Sequence, residues 1–217
     1  MSAPVPVPGR VAGVLAGRRA ALGVLLLPVL AACSAFQTPF VEPKRFPLLP
    51  VRQGPPLAGY GRRTLLVRLA RAAPGQEGRL LRSRNPDGTE SVEYYAEWTA
   101  PPAEAMEDAL RRWLLASGLY AGVVAPGTHA TPDFTVEVEL SELHVDLGRS
   151  EARAALAAVL LRETTLATRV LAQSVHVGTS PVPPARPVPP EVQARAMVEA
   201  LGNALSGLEL VLARHAL

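Results

Sequence analysis

Between Phe134 and Asp146 the sequence alternates almost without a break. Phe134, Val136, Val138 and Leu140 hold one set of alternate positions, and Thr135, Glu137, Glu139 and Ser141 hold the other. Successive side chains of an extended strand point to opposite faces, so this pattern predicts a strand with one face in a core and one in water. Such a strand cannot stand alone, and the chain must supply others. Residues 91–98 alternate in the same way, with Val92, Tyr94, Ala96 and Trp98 on one face and Glu93, Tyr95 and Glu97 on the other. The turn cluster Asn85-Pro86-Asp87-Gly88 separates them from residues 79–84, as in a hairpin. Residues 64–71 and 168–177 are further strand candidates, and Leu147-Gly148-Arg149 reads as a turn.

Two segments carry helical spacing instead. After Pro101 and Pro102, which suit a first turn, Met106, Ala109, Leu110, Trp113 and Leu114 recur until Gly118 supplies a stop. Over residues 191–214, Met197, Leu201, Leu205, Leu208 and Leu212 form a stripe, weakened by Gly202 and Gly207. Residues 151–162 are ambiguous: their alanine content favours helix, while their place between two strand-like segments favours a long hairpin, which is the reading adopted. Residues 178–190 hold six prolines and read as a loop. The predicted fold class is α+β, a mixed and largely antiparallel sheet with two main helices packed on one face.

Only 5% of the 217 residues are aromatic, so the core has to be built from aliphatic side chains and alanine. The net charge of +3 comes entirely from Arg10, Arg18 and Arg19. Residues 33–217 hold 19 basic and 19 acidic side chains. A neutral body offers no electrostatic footprint for nucleic acid.

Arg18 and Arg19 precede an apolar run over residues 20–30 that is about half the ~20 residues a spanning helix needs, with Pro28 inside it. This is the pattern of a secretory signal. Its ending, Leu30-Ala31-Ala32-Cys33, resembles the lipobox of bacterial lipoproteins. The resemblance implies that residues 1–32 are removed and that Cys33 is acylated. Cys33 is the sole cysteine, so an intrachain disulfide is excluded. Ser34, and not an aspartate, follows it, which by the same resemblance favours the periplasm-facing leaflet of the outer membrane. The six prolines of residues 34–63 block helix, so residues 33–63 read as a tether, with a short edge strand expected over 45–51. Residues 64–217 then form one domain. Fully extended, that tether would reach up to about 90 Å.

Enzyme motifs are largely missing. There is no Gly-x-Ser-x-Gly elbow, phosphate loop, His-Glu-x-x-His or cysteine/histidine metal spacing. His129, His144, His176 and His215 are scattered and read as ordinary surface side chains, and Glu137 and Glu139 as the solvated face of a strand. No catalytic residue, cofactor or metal site is expected. The aromatic side chains are better placed for structure and recognition, with Trp98 and Trp113 as core residues and Tyr95, on a polar strand face, as an interface candidate.

One stretch is distinctive: Arg79-Leu80-Leu81-Arg82-Ser83-Arg84, then Glu93-Tyr94-Tyr95-Ala96-Glu97-Trp98, Pro101-Pro102 and a helix ending Leu115-Ala116-Ser117-Gly118-Leu119-Tyr120, with Asp133-Phe134 opening the next strand. With the lipobox, it resembles the ABC-type transport auxiliary lipoproteins, the family that includes paraquat-inducible protein C. The resemblance implies a non-catalytic outer-membrane lipoprotein working with an MCE-type system, in which MCE proteins and an inner-membrane ABC transporter move phospholipids or other apolar molecules. It makes Cys33 the lipidation site and points to Tyr95, Trp98, Pro101 and Pro102 as a candidate partner interface. Ring-like self-assembly is compatible with such a role. The alternative reading is an assembly factor for a β-barrel or lipopolysaccharide machine. The alanine-rich 151–162 and proline-rich 178–190 depart from the family pattern.

Overall fold

A computed structural model of the chain describes residues 40–58, 61–164 and 166–216. The lipobox and Cys33 lie outside these residues. A compact unit runs from Glu42 to Leu217. Its order is β1 (Lys44–Phe46), β2 (Thr64–Ala72), β3 (Leu80–Arg84), β4 (Glu90–Trp98), α1 (Pro102–Ser117), β5 (Gly122–Val124), β6 (Phe134–Asp146), β7 (Glu151–Glu163), β8 (Thr168–Pro181) and α2 (Pro190–Ala213). The eight strands form one mixed sheet. The α+β class expected from the sequence is the observed one.

β6 organises the sheet. Along one edge it pairs antiparallel with β7 for its whole length, and β7 pairs antiparallel with β8. Along the other edge two strands share it in succession, both parallel: β2 takes the stretch from Phe134 to Leu140, and β3 takes Val145 and Asp146. β5 extends the sheet beyond β2, and β4 and then β1 extend it beyond β3. The alternation of β6 explains its central place. Val136, Val138 and Leu140 are fully buried beneath the helices, while Glu137 and Glu139 lie on the opposite face, where they pair with Arg68 and Arg71.

Both helices cover the buried face. α1 buries Met106, Ala109, Leu110, Trp113 and Leu114, the stripe read from the sequence, and ends on Gly118 with φ 71°, whose N–H returns to the Leu115 carbonyl. α2 buries Met197, Leu201, Leu205, Leu208 and Leu212. Each such aliphatic side chain contributes about 1.5–3 kcal/mol when fully removed from water.

The ambiguous segment 151–162 is strand β7. Its hydrogen-bonded neighbours on both sides overcome its alanine-driven helix propensity. The alanines have a packing role, since Ala152, Ala154 and Ala158 are buried under α2, whose own Ala200 and Ala204 are fully buried. Small residues on both surfaces let helix and sheet approach closely.

The tether expectation needs correction. Residues 42–63, read as part of a linker over 33–63, belong to the compact unit, which begins at Glu42 and not at residue 64. β1 pairs parallel with the end of β4, Leu48 is buried in the core, and the Leu57 N–H donates to the Ser117 carbonyl. Proline prevents helix but not extended backbone docked against a domain.

Candidate partner-facing site

Trp98 ends β4 and is 1% exposed. Its backbone N–H donates to the Arg79 carbonyl at 2.7 Å, and the Arg79 side chain donates to the carbonyls of Trp98 and Thr99 at 3.1 and 3.0 Å. Thr99 N–H bonds to the Phe46 carbonyl, tying the corner to β1. Pro101 then caps α1 and Pro102 opens it. Fixed proline φ values suit a helix start, where no amide donor is required. The Trp98–Pro102 junction is a rigid strand-to-helix corner.

The structure divides the four residues expected at an interface. Trp98 and Pro102 are buried, Trp98 within the hydrophobic core, and they present no surface to a partner. Pro101 is half-buried. Tyr95 is 60% exposed.

Tyr94 joins Tyr95 at the surface at 77% exposure, although simple alternation placed it with Trp98. The cause is a bulge. Leu80 pairs with Glu97 and Arg82 with Val92, so residues 93–96 of β4 stand opposite the single residue Leu81. Extra residues bend a strand and re-aim its side chains. Glu93 turns instead toward α2, where Gln193 Nε2 donates to its carboxylate at 2.9 Å. Gln193 is itself buried and bonded to Ser83.

The charged groups around this surface are paired. Glu97 accepts from Arg45 at 2.8 Å and lies within 3.4 Å of Arg79, and the Arg45 hydrogen bond holds its carboxyl below the ordinary carboxylate range. Lys44 bridges to Glu191 at the start of α2. The result is an exposed pair of tyrosine rings on a ground of compensated charge, suited to contact.

Elsewhere, a groove of about 440 Å³ lies between a proline-rich strap, residues 47–56, and α2, lined by Leu49, Val51, Trp113, Arg195, Val198 and Gly202. Among the described residues no group of three or more His, Cys, Asp and Glu side chains is placed to hold a metal ion. His144 departs from the surface expectation. It is 4% exposed, and burial, with Arg84 nearby, lowers its pKa below 6.5. The docking of the strap was missed in the sequence because one of its anchors, the pair of hydrogen bonds from Arg52 to Glu209 of α2, joins residues 157 apart.

No family model and no curated protein matches the chain. Solved structures do. Protein XCC0632 from Xanthomonas campestris, described with the family name DUF330, is similar with a TM-score of 0.63 and 22% identity over 79% of this chain and 98% of that one. An uncharacterised protein is similar with a TM-score of 0.53 and 12% identity over 80% and 98%. The fold is therefore shared with the DUF330 structure and with the uncharacterised protein across nearly their whole length, and at these identities it is the fold that is shared.

Proposed function

We propose that this chain is a non-catalytic auxiliary lipoprotein of an MCE-type ABC lipid-transport system. Lipid on Cys33 anchors it in the periplasm-facing leaflet of the outer membrane, and the folded unit docks the periplasmic MCE component. The observation that carries the reading is the join of two sequence features, the Leu-Ala-Ala-Cys33 ending and the strand-Trp98-x-x-Pro101-Pro102-helix stretch. The geometry gives each part of that stretch work. Trp98 and Pro102 set the corner from inside, and Tyr95, exposed on the outside, is the side chain a partner would meet. No step of this role requires a cofactor or a metal, and self-assembly into a ring would multiply the tyrosine contacts around one partner.

The test is in vivo cross-linking of the tagged full chain, detergent extraction and mass spectrometry. Recovery of an MCE protein with its ABC transporter is expected, together with a Cys33 peptide bearing diacylglyceryl mass. Recovery of an outer-membrane β-barrel or its assembly machinery, with no transporter subunit, overturns the proposal in favour of an assembly factor.

A further inference from the structure

β8 is a 14-residue strand at the edge of the sheet, paired with β7 on one side. The Val182 N–H donates to the Ser150 carbonyl, which fixes the phase of the antiparallel ladder. Ser180, Gly178, His176 and Ser174 then bond inward to β7, while Thr179, Val177, Val175 and Gln173 direct their N–H and C=O groups outward. The phase is consistent at the end of the strand, where Asn203 Nδ2 caps the Thr179 carbonyl at 2.8 Å and Pro181 has no amide to lose. Among the described residues nothing caps Gln173, Val175 or Val177.

Natural edges are usually guarded by lysine, inward-pointing charge, proline or brevity. Between Ala172 and Gly178 this edge has none of these, and the extra residue Leu171, which shifts the register against β7, lies just before that stretch. The edge presents valines instead: Val175 is 68% exposed, Val177 45% and Val170 57%. On the face away from the helices, Val175 and Val177 stand beside Ala157 and Ala155 of β7.

The near end of the edge carries a charge anomaly. Arg162 and Arg169 are directly opposed across β7 and β8, a like-charge pairing that costs stability in a sheet. Arg162 lies over the Phe134 ring, 4.8 Å from its centroid, and neither arginine forms an ion pair among the described residues. Glu163 beyond them makes no bridge to either. β8 itself holds no aspartate or glutamate, so antiparallel pairing with the β8 of a second copy brings no carboxylate to Arg169.

We propose that the outer edge of β8, from Arg169 to Val177, takes an extended segment of a partner protein as an added antiparallel strand. The segment places alternate apolar side chains beside Val175 and Val177 and an acidic residue against the Arg162–Arg169 pair. Backbone bonding at Gln173, Val175 and Val177 supplies affinity, and the valine row and the arginine pair supply register. This surface goes beyond the docking role of Tyr95.

The test uses the full chain and an eight-residue synthetic peptide of alternating valine and threonine with a C-terminal glutamate; because Leu171 is an extra residue in β8, eight residues run from opposite Val177 to opposite Arg169 and put the glutamate on the face that Arg169 shares with Arg162. Saturable binding is expected, with slowed hydrogen exchange at the Val175 and Val177 amides. Val175→Lys should weaken binding about tenfold, as a guarded edge does, and a peptide ending in lysine should bind several-fold more weakly. Because Val175 is exposed, unchanged circular dichroism of the variant separates lost pairing from lost folding. Exchange at these amides that is indifferent to millimolar peptide overturns the proposal. So does concentration-dependent self-association that protects the same amides and is abolished by Val175→Lys, which would make a second copy the occupant. Either failure leaves the transport reading intact, since that reading is decided by the mass of Cys33 and the identity of the cross-linked partners.

Discussion

Arg52 and Glu209, 157 residues apart, meet fork to fork: Nε and one terminal nitrogen of the guanidinium each donate to a different carboxylate oxygen at 2.8 Å. Both side chains are about nine-tenths buried, and Trp113 Nε1 adds a third bond to the same carboxylate at 2.6 Å. The remaining Arg52 nitrogen donates to the carbonyls of Gly54 and Pro55, so Arg52 ties the strap to α2, and the same Glu209 carboxylate links it on to Trp113 of α1. Replacing Arg52 by Ala leaves Glu209 a buried charge with only the indole for company. A loss of about 3–5 kcal/mol is expected in urea denaturation. The double replacement of Arg52 and Glu209 by Met should recover most of it, and failure to recover would show that the guanidinium's backbone bonds matter more than the charge pair.

Gly178 lies where α2 comes closest to the sheet. A Cβ there would overlap the Ala200 carbonyl oxygen and the Ala204 amide nitrogen and stand 2.9 Å from Asn203 Cβ. The first two are backbone atoms of a helix and cannot swing aside. Gly178→Ala should destabilise by about 3 kcal/mol, the upper range for overpacking, with circular dichroism and thermal melting as the measurements. Gly88→Ala is the contrasting control: its Cβ meets nothing within 4 Å, and its cost comes from a φ of 85° alone.

His144 gives the stability a pH dependence of definite sign. Burial first, and the Arg84 charge second, lower its pKa below the ordinary 6.5, and burial lowers that of His176 as well. Below pH 6.5 the unfolded chain binds protons that the folded chain resists, so stability falls as pH drops through 6.5 toward the folded pKa values. Urea midpoints measured at about pH 7.5 and 5.5 should decrease in that order, and His144→Asn should flatten the slope. A midpoint that rises on acidification would contradict this account.

Tyr95 and Trp98 separate recognition from folding within one strand. Tyr95→Ala should change stability by less than about 0.5 kcal/mol and reduce partner cross-linking, since the ring is exposed. Trp98→Ala should cost about 3–5 kcal/mol, since the ring is buried in the core. Equal effects of the two on stability would remove Tyr95 from the candidate surface.

Local patterns were legible wherever one face of an element meets one environment. β6 and α1 satisfy that condition, and their alternation and helical stripe translate directly into structure. β7 was legible only through its neighbours, because alanine suits both a helix and a strand that must let a helix approach. Tyr94 was misread because alternation assumes an unbroken ladder, and a bulge is set by pairing between strands and not by the order of residues within one. The succession of β2 and β3 along one edge of β6, the three-residue β5 and the clasp of Arg52 on Glu209 depend on contacts distant in sequence, which no local window contains.

The early start of the folded unit changes the length of the leash. Nine peptide steps separate Cys33 from Glu42, and fully extended they cover about 30 Å, a third of what the whole proline-punctuated stretch would allow. On the proposed reading, lipid at Cys33 would hold the folded unit within a shallow layer beside its membrane, and the length that bridges the periplasm would have to be built into the other component.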